Sequence, residues 1–478
     1  MNIVLAGTGS AVGKTTISTG IMGALSKEVK VQGFKVGPDF IDPSYHSLAT
    51  GNISRNLDSF FMNDYQINKC YKRGIDLSKS KFGIIEGVRG LFEGIGPIGN
   101  VGSTASIAKS LNAPIVLIID SRSLVKSAAA LVLGFKSLDK DLNIQGVILN
   151  KVKGKKHYLK TKEAIESLTD TSVIGGIPRN EDIEVLQRHL GLVPALEREN
   201  IKYNIDKWIE IVEKYIDLDA LKSIMKEYQE DSNKAINSRI KDHIDNHTIK
   251  PSINFNEEFR KEDTFELWKV SNKQHLKIGV AKDEVFSFYY PENLEALQEN
   301  NAKIIEFSPY KDEEIPDVDA LYIGGGYPEL FIKDLQSNSS MRKSILDFYN
   351  NNGFIYGECG GLIYLSKSIN KHNMCNVLPY SSHMNKHVQG LSYTIAKSRC
   401  DNIISSKDEI IRGHEFHYTS IDTFINSKFA LNVLRGRGII NNMDGLMSKN
   451  ALASYIHIHA CSHPNFAYNF TRNICENN

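Results

Sequence analysis

Two groups of residues have the types and spacing of a reaction centre. In Gly357-Glu358-Cys359-Gly360-Gly361 a thiol stands between glycines, directly after the apolar run Phe354-Ile355-Tyr356. Such glycines permit a sharp strand-to-helix turn, a nucleophile elbow with Cys in place of Ser. The helix N-terminus behind the thiol is expected to lower its pKa. A Cys nucleophile needs a base. His457 and His459 lie two apart in Ser454-Tyr455-Ile456-His457-Ile458-His459 and share one face of a strand. Either is a candidate, and His457 is preferred. Gly324-Gly325-Gly326, after the strand Ala320 to Ile323, can aim backbone N–H groups into a cleft, as an oxyanion hole requires.

The second group opens the chain. Gly7-Thr8-Gly9-Ser10-Ala11-Val12-Gly13-Lys14-Thr15-Thr16 follows the apolar run Ile3 to Ala6 and leads into a helix-like run, Thr15 to Leu25. Strand, glycine-rich turn and Gly-Lys-Thr at a helix start form a cradle for nucleotide phosphates, with Lys14 bridging them and the Thr15 hydroxyl on Mg²⁺. The spacing is offset: the first glycine of the strict pattern falls on Thr8, and Gly7 stands one place earlier. Carboxylates follow at the ends of later strands. Asp39 and Asp42 in Gly37-Pro38-Asp39-Phe40-Ile41-Asp42-Pro43 hold Mg²⁺, position substrate, or serve only as turn formers beside proline. Glu86 follows Phe82 to Ile85, where phosphate-loop ATPases place an acidic Mg²⁺ ligand, and Glu93 lies seven residues on. Asn150, at the end of Ile144 to Leu149, either reads an adenine edge or caps a turn.

The elements that must position these groups read as two α/β series. Strands at Ile3–Ala6, Val31–Val36, Phe82–Ile85, Ile115–Ile119, Ile144–Lys151 and Val173–Pro178 alternate with helical stretches, which indicates a parallel sheet covered by helices. From about Asp217 the composition turns polar and charged. We place a phosphate-loop nucleotide domain at 1–229, a linker at 230–274, and a second α/β domain at 275–478. The chain has 478 residues, 41% of them hydrophobic, enough for large cores. Its net charge of +1 gives no reason to expect nucleic acid or an anionic membrane as partner. Six cysteines lack C-x-x-C spacing, so a reducing compartment is expected. With no leader-like start and no long apolar run, a soluble cytoplasmic protein is expected. Arg412-Gly413-His414-Glu415-Phe416-His417-Tyr418 is dense in polar groups, yet no ligand spacing completes a tetrahedral metal site, and a substrate-contacting or structural strand is the preferred reading.

The combination resembles the cobyrinate a,c-diamide synthase family of glutamine amidotransferases. The matching segments begin at Gly7 (GTGSAVGKTT), Lys35 (KVGPDFIDPSYH), Ile84 (IIEGVRGLFEG), Gly102 (GSTASIAK), Gly146 (GVILNKV), Phe286 (FSFYYPENL), Tyr322 (YIGGGYPE), Gly357 (GECGGLIYL), Arg412 (RGHEFHY) and Ser454 (SYIHIH). The resemblance implies a dethiobiotin-synthetase-like P-loop domain followed by a class I glutamine amidotransferase domain. It implies ATP and Mg²⁺ as cofactors, and L-glutamine or ammonia and a tetrapyrrole as partners. ATP-binding positions would be Gly9, Gly13, Lys14, Thr15, Thr16, Lys35 and Asn150, and Mg²⁺ ligands Thr15, Asp39 and Glu86. Asp42, Arg89 and Glu93 would serve substrate activation. Cys359 would be the nucleophile and His457 its base, with Gly325 and Gly326 in the oxyanion hole. Conventional class I domains carry His-Pro-Glu, whose Glu orients the His; here Ile458 and His459 follow His457. Arg89 and Glu93 stand where the family usually has Met and Asp, and look more like a relative that amidates nickel-sirohydrochlorin. Two rivals are a cobyrate-type synthase acting on other ring carboxylates and a nucleotide-switched interaction protein. The resemblance allows a homodimer, and the sequence leaves oligomeric state open.

Overall fold

A computed structural model describes residues 1–179, 187–188, 191–192, 201–226, 267–270 and 275–477. The chain divides into two compact units, Met1–Phe265 and Glu266–Asn478.

In the first unit, long β-branched runs make strands and the intervening amphipathic stretches make helices. The elements are β1 (Asn2–Gly7), α1 (Lys14–Ser26), β2 (Val31–Val36), α2 (Ile41–Thr50), β3 (Arg55–Leu57), α3 (Asp64–Ser78), β4 (Phe82–Glu86), α4 (Thr104–Ser110), β5 (Ile115–Asp120), α5 (Lys126–Leu138), β6 (Ile144–Val152), α6 (Lys155–Thr169), β7 (Ser172–Pro178) and α7 (Ile201–Tyr215). Among the described residues, seven strands form one parallel sheet in the order β3-β2-β4-β1-β5-β6-β7. β1, β4 and β5 are buried almost throughout, as strands covered on both faces must be. Helix α7, which has no counterpart in the sequence reading, buries Ile205, Trp208, Ile209 and Val212 in the core that also holds Ile17, Ile21 and Leu25 of α1. Each such side chain contributes about 1.5–3 kcal/mol when fully buried. The register sets Glu86 beside Leu5 on one side and Lys35 on the other. The carboxyl ends of three strands therefore meet at the phosphate loop, the usual ligand-binding end of an open α/β sheet.

The second unit contains β8 (Leu276–Ala281), α8 (Pro291–Glu299), β9 (Ala302–Phe307), β10 (Ala320–Ile323), α9 (Ser339–Asn350), β11 (Phe354–Glu358), α10 (Gly360–Leu365), β12 (Gly390–Ser398), β13 (Ile410–His417), β14 (Lys428–Arg435), β15 (Met443–Ser448), β16 (Ala451–Ser454), β17 (His457–Ile458) and α11 (Phe466–Asn477). Among the described residues, ten strands form a sheet in the order β9-β8-β10-β11-β16-β15-β14-β12-β13-β17. The first five run parallel. The rest pair antiparallel. Four residues of the stretch read as a linker, 267–270, are described. Leu267 and Trp268 are buried, Trp268 Nε1 donates to Glu299 Oε2 at 2.7 Å, and the Lys269 N–H donates to Pro464 O at 3.0 Å. These residues belong to the second unit; the remainder of 230–274 lies outside the described residues.

Candidate active site

The phosphate loop turns on Gly13, at φ 95° and ψ 20°, which precedes α1 in a left-handed conformation open to glycine at little cost. Lys14 donates to Gly9 O at 3.0 Å and to Arg89 O, so the loop after β4 closes over the phosphate loop. Burial, reinforced by the Lys35 charge and opposed by Glu86, Asp42 and Glu93, lowers the Lys14 pKa to about 8. Thr15 and Thr16 lie half-buried in the first turn of α1.

Glu86 is the hub of this end of the sheet. It is fully buried. One oxygen, Oε1, accepts from Thr15 Oγ1 at 2.8 Å and Lys35 Nζ at 2.9 Å. The other, Oε2, lies 2.6 Å from His46 Nε2. Lys35 also meets Asp42 Oδ2 at 2.5 Å. Burial disfavours charge on Glu86, but Lys35 and His46 outweigh it and hold the carboxyl below its ordinary range. Burial likewise opposes charge on Lys35, and Asp42, Glu86 and Asp39 overcome it and raise its pKa.

The remaining predicted residues are placed as follows. Asp39 Oδ1 accepts the N–H groups of Ile41 and Asp42, at 2.8 and 3.1 Å, and so makes a turn leading into α2. Its turn-forming role is thus realised, next to Lys35 and Asp42. Asn150 is buried with both ends of its amide engaged locally: Nδ2 donates to Val12 O at 2.8 Å and Oδ1 accepts from the Lys151 N–H at 2.9 Å. These contacts brace the phosphate loop. Arg89 is exposed at φ 48°, and the Glu93 carboxylate folds over Gly90.

The donor set suits Mg²⁺. Thr15 Oγ1 and Glu86 Oε1 are hard oxygens 2.8 Å apart. Adjacent ligands of an octahedron with bonds of ~2.1 Å stand about 3 Å apart. Among the described residues, no three metal-ligating side chains of the His, Cys, Asp and Glu types converge. Phosphate oxygens and water would complete the shell, as is usual for Mg²⁺.

In the second unit, Cys359 sits between β11 and α10 at φ 46° and ψ −94°, the strained turn of a nucleophile elbow. Its N–H donates to Ser454 O at 2.7 Å, tying the elbow to β16. Its Sγ lies 3.5 Å from Phe416 O. The thiol departs from the sequence expectation. Burial, with Glu329 and Glu358 nearby, pushes its pKa up, and the Gly360 N–H opposes this without prevailing. The thiol therefore rests protonated and depends on a base.

His457 lies opposite His414 in the β13–β17 pairing, and the two rings stack with centroids 4.8 Å apart. Its Nδ1 is 3.7 Å from Glu358 Oε2. A Cβ on Gly325 would stand 2.4 Å from His457 Cε1, so only glycine fits beside the ring. His459 points to other partners. Its Nδ1 accepts the Cys461 N–H at 3.1 Å, and its Nε2 faces the buried Glu292 Oε2 at 3.4 Å.

Gly325 pairs with Phe288, its N–H donating to Phe288 O at 3.3 Å, and the Tyr327 N–H donates to Val285 O at 3.0 Å. In a nucleophile elbow the residue after the nucleophile, here Gly360, presents its backbone N–H beside the reacting atom, and the elbow pattern is the sequence signal for it. On β13, Glu415 accepts from the Arg437 and Gly438 N–H groups and from Ser392, while His417 stacks on Tyr455 at 3.5 Å. That strand supports the site through His414 and the Phe416 carbonyl.

Residues 3–193 match the family described as the CobQ/CobB/MinD/ParA nucleotide binding domain, and residues 277–465 the CobB/CobQ-like glutamine amidotransferase domain. Proteins named cobyrinate a,c-diamide synthase are similar over nearly the whole chain. That of Methanothermobacter thermautotrophicus is 57% identical over 100% of both chains. That of Methanobrevibacter smithii is 55% identical over 98% of both, and that of Methanocaldococcus jannaschii 49% identical over 97% of both. By its two domains and by these relatives, the chain belongs to the cobyrinate a,c-diamide synthase family of glutamine amidotransferases.

Proposed function

We propose that this protein converts the a and c acetate carboxylates of cobyrinate to amides, using ATP and nitrogen released from glutamine. One observation carries the reading: a strained Cys359 elbow whose preceding residue, Glu358, faces the buried His457, in the same chain as a phosphate loop whose threonine meets a buried carboxylate. In the first unit a substrate carboxylate takes the terminal phosphoryl group of ATP, giving an acyl phosphate and ADP. Ammonia attacks the acyl carbon, the amide forms and phosphate leaves. Lys14 and Lys35 offer positive charge to the phosphates, and Gly13 allows close approach of the loop backbone. Mg²⁺, held by Thr15 and Glu86 with Asp39 adjacent, would neutralise charge on the phosphate oxygens. Asp42 and Glu93 lie near Lys14, and the exposed Arg89 is suited to pairing with a ring carboxylate.

In the second unit Cys359 attacks the glutamine amide carbon, ammonia leaves, and water hydrolyses the thioester. The N–H groups of Gly326 and Gly360 are the oxyanion donors in this reading. We assign the protein to the cytoplasm, in keeping with its six free cysteines. No helix among the described residues is long and apolar enough to cross a membrane.

Cobyrinate is favoured because the curated relatives carry that substrate in their names. Nickel-sirohydrochlorin carries the same reacting acetates, and Arg89 and Glu93 keep it as a second substrate to assay. Purified protein is incubated with ATP, Mg²⁺, glutamine and each tetrapyrrole in turn, and the products are weighed by mass spectrometry. Two successive acid-to-amide mass changes on cobyrinate are expected; none on either ring overturns the reading. Size-exclusion chromatography of the same sample distinguishes a monomer from a homodimer.

A further inference from the structure

We propose that Glu358, the residue before the nucleophile, is the carboxylate that orients His457, replacing the Glu that conventional class I domains supply two residues after the base. The inference rests on the glutaminase reading of the second unit.

The conventional position is occupied by His459, and its ring is committed elsewhere. The Cys461 N–H donates to its Nδ1, which places the hydrogen on Nε2, facing Glu292. The Tyr290 ring packs against it with centroids 4.6 Å apart. His459 and Glu292 therefore form a separate buried pair.

Glu358 approaches His457 from the end of β11. Its carboxylate is almost wholly buried. One oxygen is fixed: Oε1 accepts from the Tyr356 hydroxyl at 2.9 Å and from the Ile458 N–H at 3.4 Å. Burial, with Glu358 itself the next cause, raises the pKa of Tyr356 and Tyr322, so both hydroxyls stay protonated. The second oxygen, Oε2, is thereby turned to His457 Nδ1 at 3.7 Å. The plane of the imidazole is set independently by the His414 stack and by Gly325, so the carboxylate has only the ring's in-plane orientation to fix.

The chemistry follows from this placement. A hydrogen on Nδ1, facing Glu358, leaves the lone pair on Nε2. That nitrogen takes the Sγ proton as the thiolate attacks the amide carbon, and returns it to the departing nitrogen as the C–N bond breaks. Between those events His457 is a buried cation, and a buried cation needs a partner. The other titratable groups around the pair are poorly suited. Burial, followed by the charges of His457 and His459, lowers the pKa of His414 and keeps it neutral. Glu329, Glu358 and Asp444 all raise the pKa of the thiol, and Glu358 is the carboxylate that faces His457 Nδ1, at 3.7 Å. Glu358 is thus a positioning residue, acting on glutamine through His457.

The test is Glu358→Gln in the full chain, which keeps size and a hydrogen-bond acceptor and removes the charge. Glutaminase kcat is expected to fall about 100-fold with KM within about twofold, in the range of a general-base defect. Ammonia-dependent synthesis is expected to stay at the wild-type rate. Alkylation of Cys359 by iodoacetamide, followed by peptide mass spectrometry across pH, is expected to slow about tenfold at pH 7, because loss of the His457 partner outweighs loss of the charge that raises the thiol pKa; faster alkylation would show the direct charge effect alone and overturn the proposal. Glu292→Gln is expected to leave that alkylation profile in place. The proposal is overturned if Glu358→Gln keeps both glutaminase kcat and the profile, if it loses ammonia-dependent synthesis as well, or if Glu292→Gln moves the profile instead. Wild-type protein that hydrolyses no glutamine would sink the underlying glutaminase assignment, a separate result.

Discussion

His46 Nε2 and Glu86 Oε2 lie 2.6 Å apart, and both side chains are fully buried. His46 is itself anchored through Nδ1 to Ser54 Oγ at 3.3 Å. This contact occupies one oxygen of Glu86 and leaves the other to Thr15 and Lys35. His46→Ala leaves a buried carboxylate oxygen without its partner. A stability loss of ~1–3 kcal/mol is expected in the first unit. Calorimetry should also show weaker Mg²⁺-dependent ATP binding, partly restored in His46→Gln. Unchanged melting and ATP affinity in His46→Ala would contradict the arrangement.

Cys359→Ala is expected to abolish glutamine-dependent synthesis and to spare ammonia-dependent synthesis. The two units hold separate chemistry, and Cys359 belongs to the second. Parallel assays with glutamine and with ammonium chloride decide this. Loss of both activities in a folded variant would mean that the two-site assignment is wrong.

Asp444 gives the second unit a pH signature. Burial raises its pKa to about 6, and the Gly445 and Tyr455 N–H groups, which both donate to Oδ1, oppose this only in part. Its Oδ2 is buried without a hydrogen-bond partner. A carboxyl raised on folding stabilises the fold below its unfolded value of 3.8, and that contribution is lost as pH rises through about 6. Asp444→Asn keeps the Oδ1 acceptor and escapes the loss. It is expected to be more stable than wild type by up to ~3 kcal/mol above pH 7, with the difference narrowing toward pH 4. Melting curves of both proteins across that range check the sign.

Gly361→Ala probes the fit behind the elbow. A Cβ at this position would stand 2.0 Å from Ile323 O, a backbone atom with nowhere to move. Over-packing of this kind costs about 1–3 kcal/mol. Glutamine-dependent activity is expected to fall with the melting temperature of the second unit, while ammonia-dependent synthesis persists. A variant that melts and hydrolyses glutamine as wild type would show that the loop yields.

Much of the fold was legible because its strands are extreme. Ile115–Asp120 is a continuous apolar run, as a fully covered parallel strand must be, and Gly-Lys-Thr-Thr marks where α1 begins. The antiparallel half of the second sheet was far less visible. Strands such as Gly390–Ser398 mix polar and apolar residues on a partly exposed surface, and in that half Ile410–His417 and His457–Ile458 stand out through their histidines. Helix α7 carries its apolar stripe at Ile205, Trp208, Ile209 and Val212, a spacing the sequence reading passed over.

The site was legible where chemistry is local and obscure where it is made by pairing. The glycines around Cys359 announce an elbow from neighbouring residues alone. By contrast, the loss of the Gly325 N–H to Phe288, the seating of Asn150 on Val12, and the meeting of Glu358 with His457 depend on segments brought together only by the fold. Burial of the thiol is of the same kind. The helix end beside Cys359 can be read from sequence, but the tertiary surroundings that outweigh it cannot.

The Cys359 N–H bonded to Ser454 O has a consequence for the order of assembly. β11 carries the nucleophile, and β16, its neighbour in the sheet, leads directly to the base, yet the intervening chain first makes four other strands of that sheet. Closing so long a loop is entropically slow, so contacts of this range form late. Glutamine hydrolysis is therefore a property of the completed second unit. A partly folded second unit has the thiol without the histidine and releases no ammonia.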